Sequence, residues 1–219
     1  MISQVISIVF LKIWQTAESS KKNLLFSNIF GIMRLRMIKT EAENIMKYTF
    51  NIHAEHIPPK LVLSQAESES ETHIILKLLS YLMFYRQGIK IEHRVEQHFK
   101  PDLVVEGDNF QPVLWVDCGD TAIRKLDKVA TKNHNCEIYI VKETNHQLSA
   151  YYQKSQKRVK RIERVRFICF DDGFVTVLVN SLQRTNEVRV NQLQLVGKTS
   201  IMLTFNGKNY VSSIQRIPG

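Results

Sequence analysis

The chain has 219 residues, 44% of them hydrophobic and 23% charged, a balance that excludes a disordered polymer and suits one domain with an appendage. Its net charge of +9 favours polyanionic partners such as nucleic acid. Three cysteines, Cys118, Cys136 and Cys169, are odd in number and widely spaced, which argues against a disulfide framework or a CxxC metal site and for a reducing, cytoplasmic setting.

The opening MISQVISIVFLKIW holds an apolar run broken by Lys12. It is too short to span a bilayer and lacks the basic start of a signal peptide, so no membrane partner is expected. Residues 1–45 read as a poorly packed N-terminal extension or the product of a start codon placed too early. The basic excess survives their removal. The folded domain is expected over 46–219. Tyr48, Phe50 and Ile52 alternate with polar residues and predict a strand over 47–53. The Pro58-Pro59 turn leads to a second strand at 60–65. Ile74, Ile75, Leu78, Leu79 and Leu82 share one face of a helix, with Ser68 and Glu71 as a capping box and Gly88 at its end. KIEHRVEQH is a short strand or a loop. Apolar runs at 102–106 and 112–118 predict a hairpin. A helix over 121–133 carries Ile123, Leu126, Val129 and Ala130 on one side. Ile138 to Val141 is a buried strand, 146–164 a helix, and RFICF a further strand. FVTVLVNSLQR is ambiguous between strand and helix. The C-terminal stretch holds at least two strands around an Asn206-Gly207 turn. The resulting fold class is α/β, a mixed central sheet flanked by helices.

The central hairpin carries the first chemical signal. A turn centred between Asn109 and Phe110 pairs 105 with 114, 104 with 115, and 102 with 117. Asp102 and Asp117 then become cross-strand neighbours, with β-carbons roughly 4.5–5.5 Å apart, where like charges repel. A shared proton relieves that repulsion, and so does a divalent cation held by both carboxylates, with hard oxygen ligands suiting Mg²⁺. On the following helix, Lys125, Lys128 and Lys132 lie together opposite the apolar face. Glu71, at the start of the first long helix, points along its apolar side. A second signal is the run KSQKRVKRIERVR, in which Lys157, Arg158, Lys160 and Arg161 can line a phosphate-binding surface. No aromatic residues interleave with it, so base stacking is not implied.

Several short stretches together resemble the YaeQ family of the PD-(D/E)xK nuclease superfamily over roughly residues 46–216. They are Ser68-Glu69 before LKLLSYL, Lys100-Pro101-Asp102-Leu103, Trp115-Val116-Asp117-Cys118-Gly119, the basic stretch Arg124 to Lys128, and FDDGF with the strands after it. The resemblance implies a restriction-endonuclease-like core with a C-terminal β-rich extension, and Mg²⁺- or Mn²⁺-dependent hydrolysis of DNA or RNA. It assigns Asp102 and Asp117 to the metal, Lys128 or its neighbour Lys125 to the reacting water or phosphate, and Glu69 to the metal shell or a base role, with Glu71 as the rival. Position 119, where the superfamily carries a lysine two residues after the second acid, is glycine here. That departure keeps open a non-enzymatic role in nucleic-acid binding or regulation.

Overall fold

The computed structural model describes residues 46–95 and 99–218. The expectation for residues 1–45 lies outside the described residues. Strands β1 (Met46–His53) and β2 (Lys60–Gln65) form the first hairpin, followed by helix α1 (Glu71–Phe84) and the short β3 (Lys90–Ile91). Next come β4 (Leu103–Glu106), β5 (Pro112–Cys118), α2 (Ile123–Lys132), β6 (Glu137–Lys142) and α3 (Asn145–Gln156). The chain ends with β7 (Val165–Phe170), α4 (Phe174–Val179), β8 (Thr185–Gln194), β9 (Ser200–Phe205) and β10 (Lys208–Pro218). The ten strands of the described residues join one mixed sheet in the order β2-β1-β8-β9-β10-β7-β6-β5-β4-β3. Among the described residues no helix is long and apolar enough to cross a membrane.

The strands β5, β6 and β7 run parallel to one another and are covered on both faces. That is why Leu114 to Cys118 and Phe167 to Phe170 are continuously buried rather than alternating. One face presents Leu103, Val105, Leu114, Val116 and Cys118 to α1 and α4. The other presents Val104, Trp115, Ile138, Ile140 and Phe167 to α2 and α3, whose Leu126, Val129, Ala130 and Leu148 cover it. In β1 and β9 the buried residues alternate with more exposed ones, because there only one face meets the core. Helix α1 touches β2, near one edge of the sheet, and β4, near the other, so the sheet curls around it. Every residue from Ile74 to Phe84 is consequently buried, Lys77 and Ser80 included.

The structure shifts several expected boundaries. The cap of α1 is Ser70, not Ser68, because Glu69 closes a turn back onto Ala66, with its amide on the Ala66 carbonyl at 2.9 Å and its carboxylate on the Ala66 amide at 3.1 Å. The helix ends at Phe84, and Gly88 instead serves the turn into β3 with φ +83°. Helix α3 stops at Gln156 rather than 164. The Ser155 carbonyl accepts from both Arg158 and Val159, and the Lys160 amide is drawn to Asp127 at 2.9 Å, which pulls the chain off a helical course. The ambiguous FVTVLV is helix α4, entered through Gly173 in the left-handed region. The C-terminal β-rich part extends the sheet from within: β8, β9 and β10 lie between β1 and β7 and bridge its two halves.

Candidate functional site

The β4–β5 hairpin has the register expected from its turn, with Leu103 opposite Val116, Val104 opposite Trp115 and Val105 opposite Leu114, up to a bulge at Glu106. Asp102 stands one residue before β4, its amide bonded to the Val116 carbonyl at 3.1 Å. Its carboxylate and that of Asp117 nevertheless find different partners. Asp117, 2% exposed, accepts from Lys125 of α2 at 2.8 Å and from the Trp115 indole at 3.1 Å. Burial raises its pKa, and Lys125 only partly offsets this. Asp102 accepts from the Cys118 amide at 2.6 Å through Oδ2 and meets Nε2 of His73, on α1, at 2.9 Å through Oδ1. The two acids thus have different protein partners, Asp102 the His73 imidazole and Asp117 the Lys125 ammonium.

Around Asp102 lies a pocket of about 630 Å³ walled by Ser68, Glu69, His73, Glu92, Lys100 and Asp120 among others. Glu69 Oε1 is 3.3 Å from His73 Nε2 and 2.5 Å from the ammonium of Lys77, whose side chain is 0% exposed. Lys77 also reaches Glu92 at 2.5 Å, and Glu92 in turn takes Lys100 at 2.6 Å. Burial opposes the charge on His73, but the bond to Asp102 and the nearby Glu69 outweigh it, so its pKa is raised. Lys77 is raised in the same way, its two carboxylates outweighing burial. Glu92 holds φ +48°, a strained conformation of the kind that clusters at functional sites. Gly119 turns the chain out of β5 with φ +61°, and a β-carbon there would stand 3.1 Å from Nδ1 of His73. The imidazole therefore packs directly against Gly119. Behind Gly119, the buried Lys142 of β6 donates to the Gly119 carbonyl and sits 4.2 Å from the Tyr151 ring centroid.

The other expected residues fall as follows. Glu71 is exposed and accepts from the Tyr48 hydroxyl at 3.0 Å. Lys125 is bound to Asp117 and to the Lys100 carbonyl, and Lys128 lies 5.7 Å from the Phe99 ring centroid. Neither lines the pocket, whose lysine among the described residues is Lys100. Lys157 and Arg158 line a second groove of about 560 Å³ with Lys154, Gln153, Ala150 and Ile123. Lys160 is exposed, and Arg161 pairs with Glu163 at 3.5 Å. Sequence reasoning missed His73, Lys77, Glu92 and Lys100. Two signals were present: His73 stands four residues after Glu69, and Lys100 belongs to the quoted Lys100-Pro101-Asp102 stretch.

The donor set fits a divalent cation. One ligand atom each from Glu69, His73 and Asp102 lies within 4.8 Å of the others, close to the roughly 4 Å at which ligands about 2.1 Å from one ion can stand apart. Asp117 lies outside this group.

The YaeQ family model, described as YaeQ protein, matches residues 44–211. No curated protein matches the chain. Among solved structures it is similar to the YaeQ protein from Pseudomonas syringae, with a TM-score of 0.63 and 15% identity over 80% of this chain and 96% of that one. It is also similar to the YaeQ protein from Xanthomonas axonopodis pv. citri, with a TM-score of 0.60 and 15% identity over 78% of this chain and 96% of that one. At that identity the two structures speak for the fold, and the family match over most of the sequence carries the assignment: the chain belongs to the YaeQ family.

Proposed function

We propose that this chain is a divalent-metal-dependent hydrolase of phosphodiester bonds in nucleic acid, on a restriction-endonuclease-like core of the PD-(D/E)xK kind. One observation carries the reading: Glu69 and Asp102, from different elements, converge on one imidazole in a pocket whose wall also holds Lys100. The superfamily placement is supported by an antiparallel hairpin with an acid at each outer end, followed by a parallel strand and helices on both faces. Glu69 and Asp102 would hold the ion, Mg²⁺ or Mn²⁺. Once bound, such an ion offsets charge on a phosphate and lowers the pKa of coordinated water. Lys100, half exposed, can exchange Glu92 for a phosphate oxygen and so align the scissile group. Lys125 acts indirectly, by neutralising Asp117 beneath the site. Lys157, Arg158 and Lys160 would hold the backbone of the substrate away from the cleavage point.

The test is single-turnover cleavage of single- and double-stranded DNA and RNA with Mg²⁺ and with Mn²⁺. Asp102→Asn, Glu69→Gln and Lys100→Met should each slow cleavage by about 10²-fold or more, and Lys128→Met should leave it nearly unchanged. A second reading, a nucleic-acid-binding protein on a degenerate nuclease fold, is favoured by Gly119, which leaves the motif without its lysine. Wild-type protein that binds these nucleic acids but cleaves none of them would establish that second reading.

A further inference from the structure

We infer that His73 is a third protein ligand at this site, which therefore selects a first-row transition cation over Mg²⁺. The inference rests on the metal-dependent reading above and deepens it.

Three features of the structure carry it. First, Nε2 of His73 already sits between two carboxylate oxygens, Asp102 Oδ1 at 2.9 Å and Glu69 Oε1 at 3.3 Å. Carboxylates accept, so Nε2 is placed to donate a proton between them. A proton held by an imidazole between two carboxylates occupies the place where a metal ion would bind all three.

Second, each carboxylate is pre-oriented. Glu69 gives one oxygen to the Ala66 amide at 3.1 Å, and Asp102 gives one to the Cys118 amide at 2.6 Å. In each case the other oxygen faces His73, and that of Glu69 also meets the Lys77 ammonium at 2.5 Å. Such outer hydrogen bonds are what fix ligand direction in metal sites. The ring is fixed too. It is borne on the first turn of α1, where the Ser70 side chain accepts from the His73 amide at 3.3 Å, and its Nδ1 edge lies against Gly119.

Third, the wall is acidic in a chain that is basic overall. Glu69, Glu92, Asp102, Asp120 and Glu143 line the pocket against His73 and Lys100. Such a wall draws cations and repels a phosphate until a cation is in place.

The choice of ion follows from the donors. Mg²⁺ keeps to oxygen ligands and its own water, whereas imidazole suits the first-row divalent ions, with affinity rising from Mn²⁺ to Co²⁺. The experiment uses the full chain and two readouts. Calorimetric titration should give Co²⁺ and Mn²⁺ affinities at least about tenfold above Mg²⁺ in the wild type. His73→Gln should bring the three ions close together. Pulsed electron paramagnetic resonance of bound Mn²⁺ should show nitrogen coupling from the wild type, and this signal requires no variant to fold. Loss of the coupling in His73→Gln would attribute it to His73. If Mn²⁺ binds in a way that depends on Asp102 but shows no nitrogen coupling, His73 is a charge bridge only: this inference fails and the proposed function stands. If no ion binds in a way that depends on Glu69 and Asp102, both fail.

Discussion

Gly119 shows how one residue sets the character of the site. Its φ of +61° is a conformation that costs an L-residue about 1–2 kcal/mol, and a β-carbon would meet His73 Nδ1 at 3.1 Å. Gly119→Ala should therefore destabilise the fold by about 1–3 kcal/mol and weaken metal affinity through displacement of the ring. Thermal unfolding checks the first and calorimetry the second. Unchanged values in both would mean that the turn relaxes freely and does not hold the histidine. Glu92 supplies the pH signature. Burial opposes its ionisation, but bonds from Lys100 and Lys77 outweigh that and hold its carboxyl below the usual range. With the folded pKa depressed, this stabilisation is complete above the unfolded value of about 4.3 and is lost as pH falls through the lower folded value. Glu92→Gln should lower stability at neutral pH and flatten the acid limb of the profile. Unfolding free energies measured from neutral pH down to about pH 3 test this, and parallel profiles for variant and wild type would contradict it.

At the scale of elements, α1 does most to assemble the pocket. It carries His73 and Lys77 on successive turns, and the turn before it carries Glu69. Its start is set by Ser70, which accepts from the His73 amide at 3.3 Å. Ser70→Ala should cost about 1 kcal/mol, in line with the loss of an N-cap, whereas Ser68→Ala should stay within about 0.5 kcal/mol. Urea midpoints for the two variants compare the assignments directly, and the reverse ranking would restore Ser68 as the cap. The enclosure of α1 by the curled sheet and α4 also explains why Lys77 has no route to water. A buried ammonium is tolerable only with partners, and Glu69 and Glu92 provide them from the pocket side.

Across the whole molecule, charge is divided between an acid-rich pocket and a basic groove, and α3 joins them. Gln147, near its start, lines the pocket, and Gln153 and Lys154, near its end, line the groove. Seven residues of helix place the two about 10 Å apart along α3. That division predicts separable effects. Replacing Lys157 and Arg158 together by Glu should weaken nucleic-acid binding and reduce the slope of affinity against salt by about one or two phosphate contacts, while Mn²⁺ affinity stays unchanged. Fluorescence anisotropy over a salt series measures the first and calorimetry the second. A wild-type slope in the variant would remove the groove from the binding path.

The sequence by itself determined what depends on local periodicity and turn chemistry. The alternation of Tyr48, Phe50 and Ile52 was legible because it reports which side of the strand faces the core, and the Asn206-Gly207 hairpin because its turn residues set it, whereas the stripe on α1 located the helix but not its burial on all sides. So was the pairing of the β4–β5 hairpin, since its turn determines its register. Only the tertiary structure decided which way the end of that hairpin turns its acids. Asp102 is claimed by a histidine 29 residues earlier in the chain and Asp117 by a lysine on the next helix. No strand periodicity encodes that choice, which arises where three elements meet. The end of α3 is of the same kind: the helical pattern of its residues runs on, but Asp127 captures the Lys160 amide from another helix. The residues of the candidate site were thus legible as acids and bases in a pattern, and their partnership with His73 and Lys77 came from long-range packing.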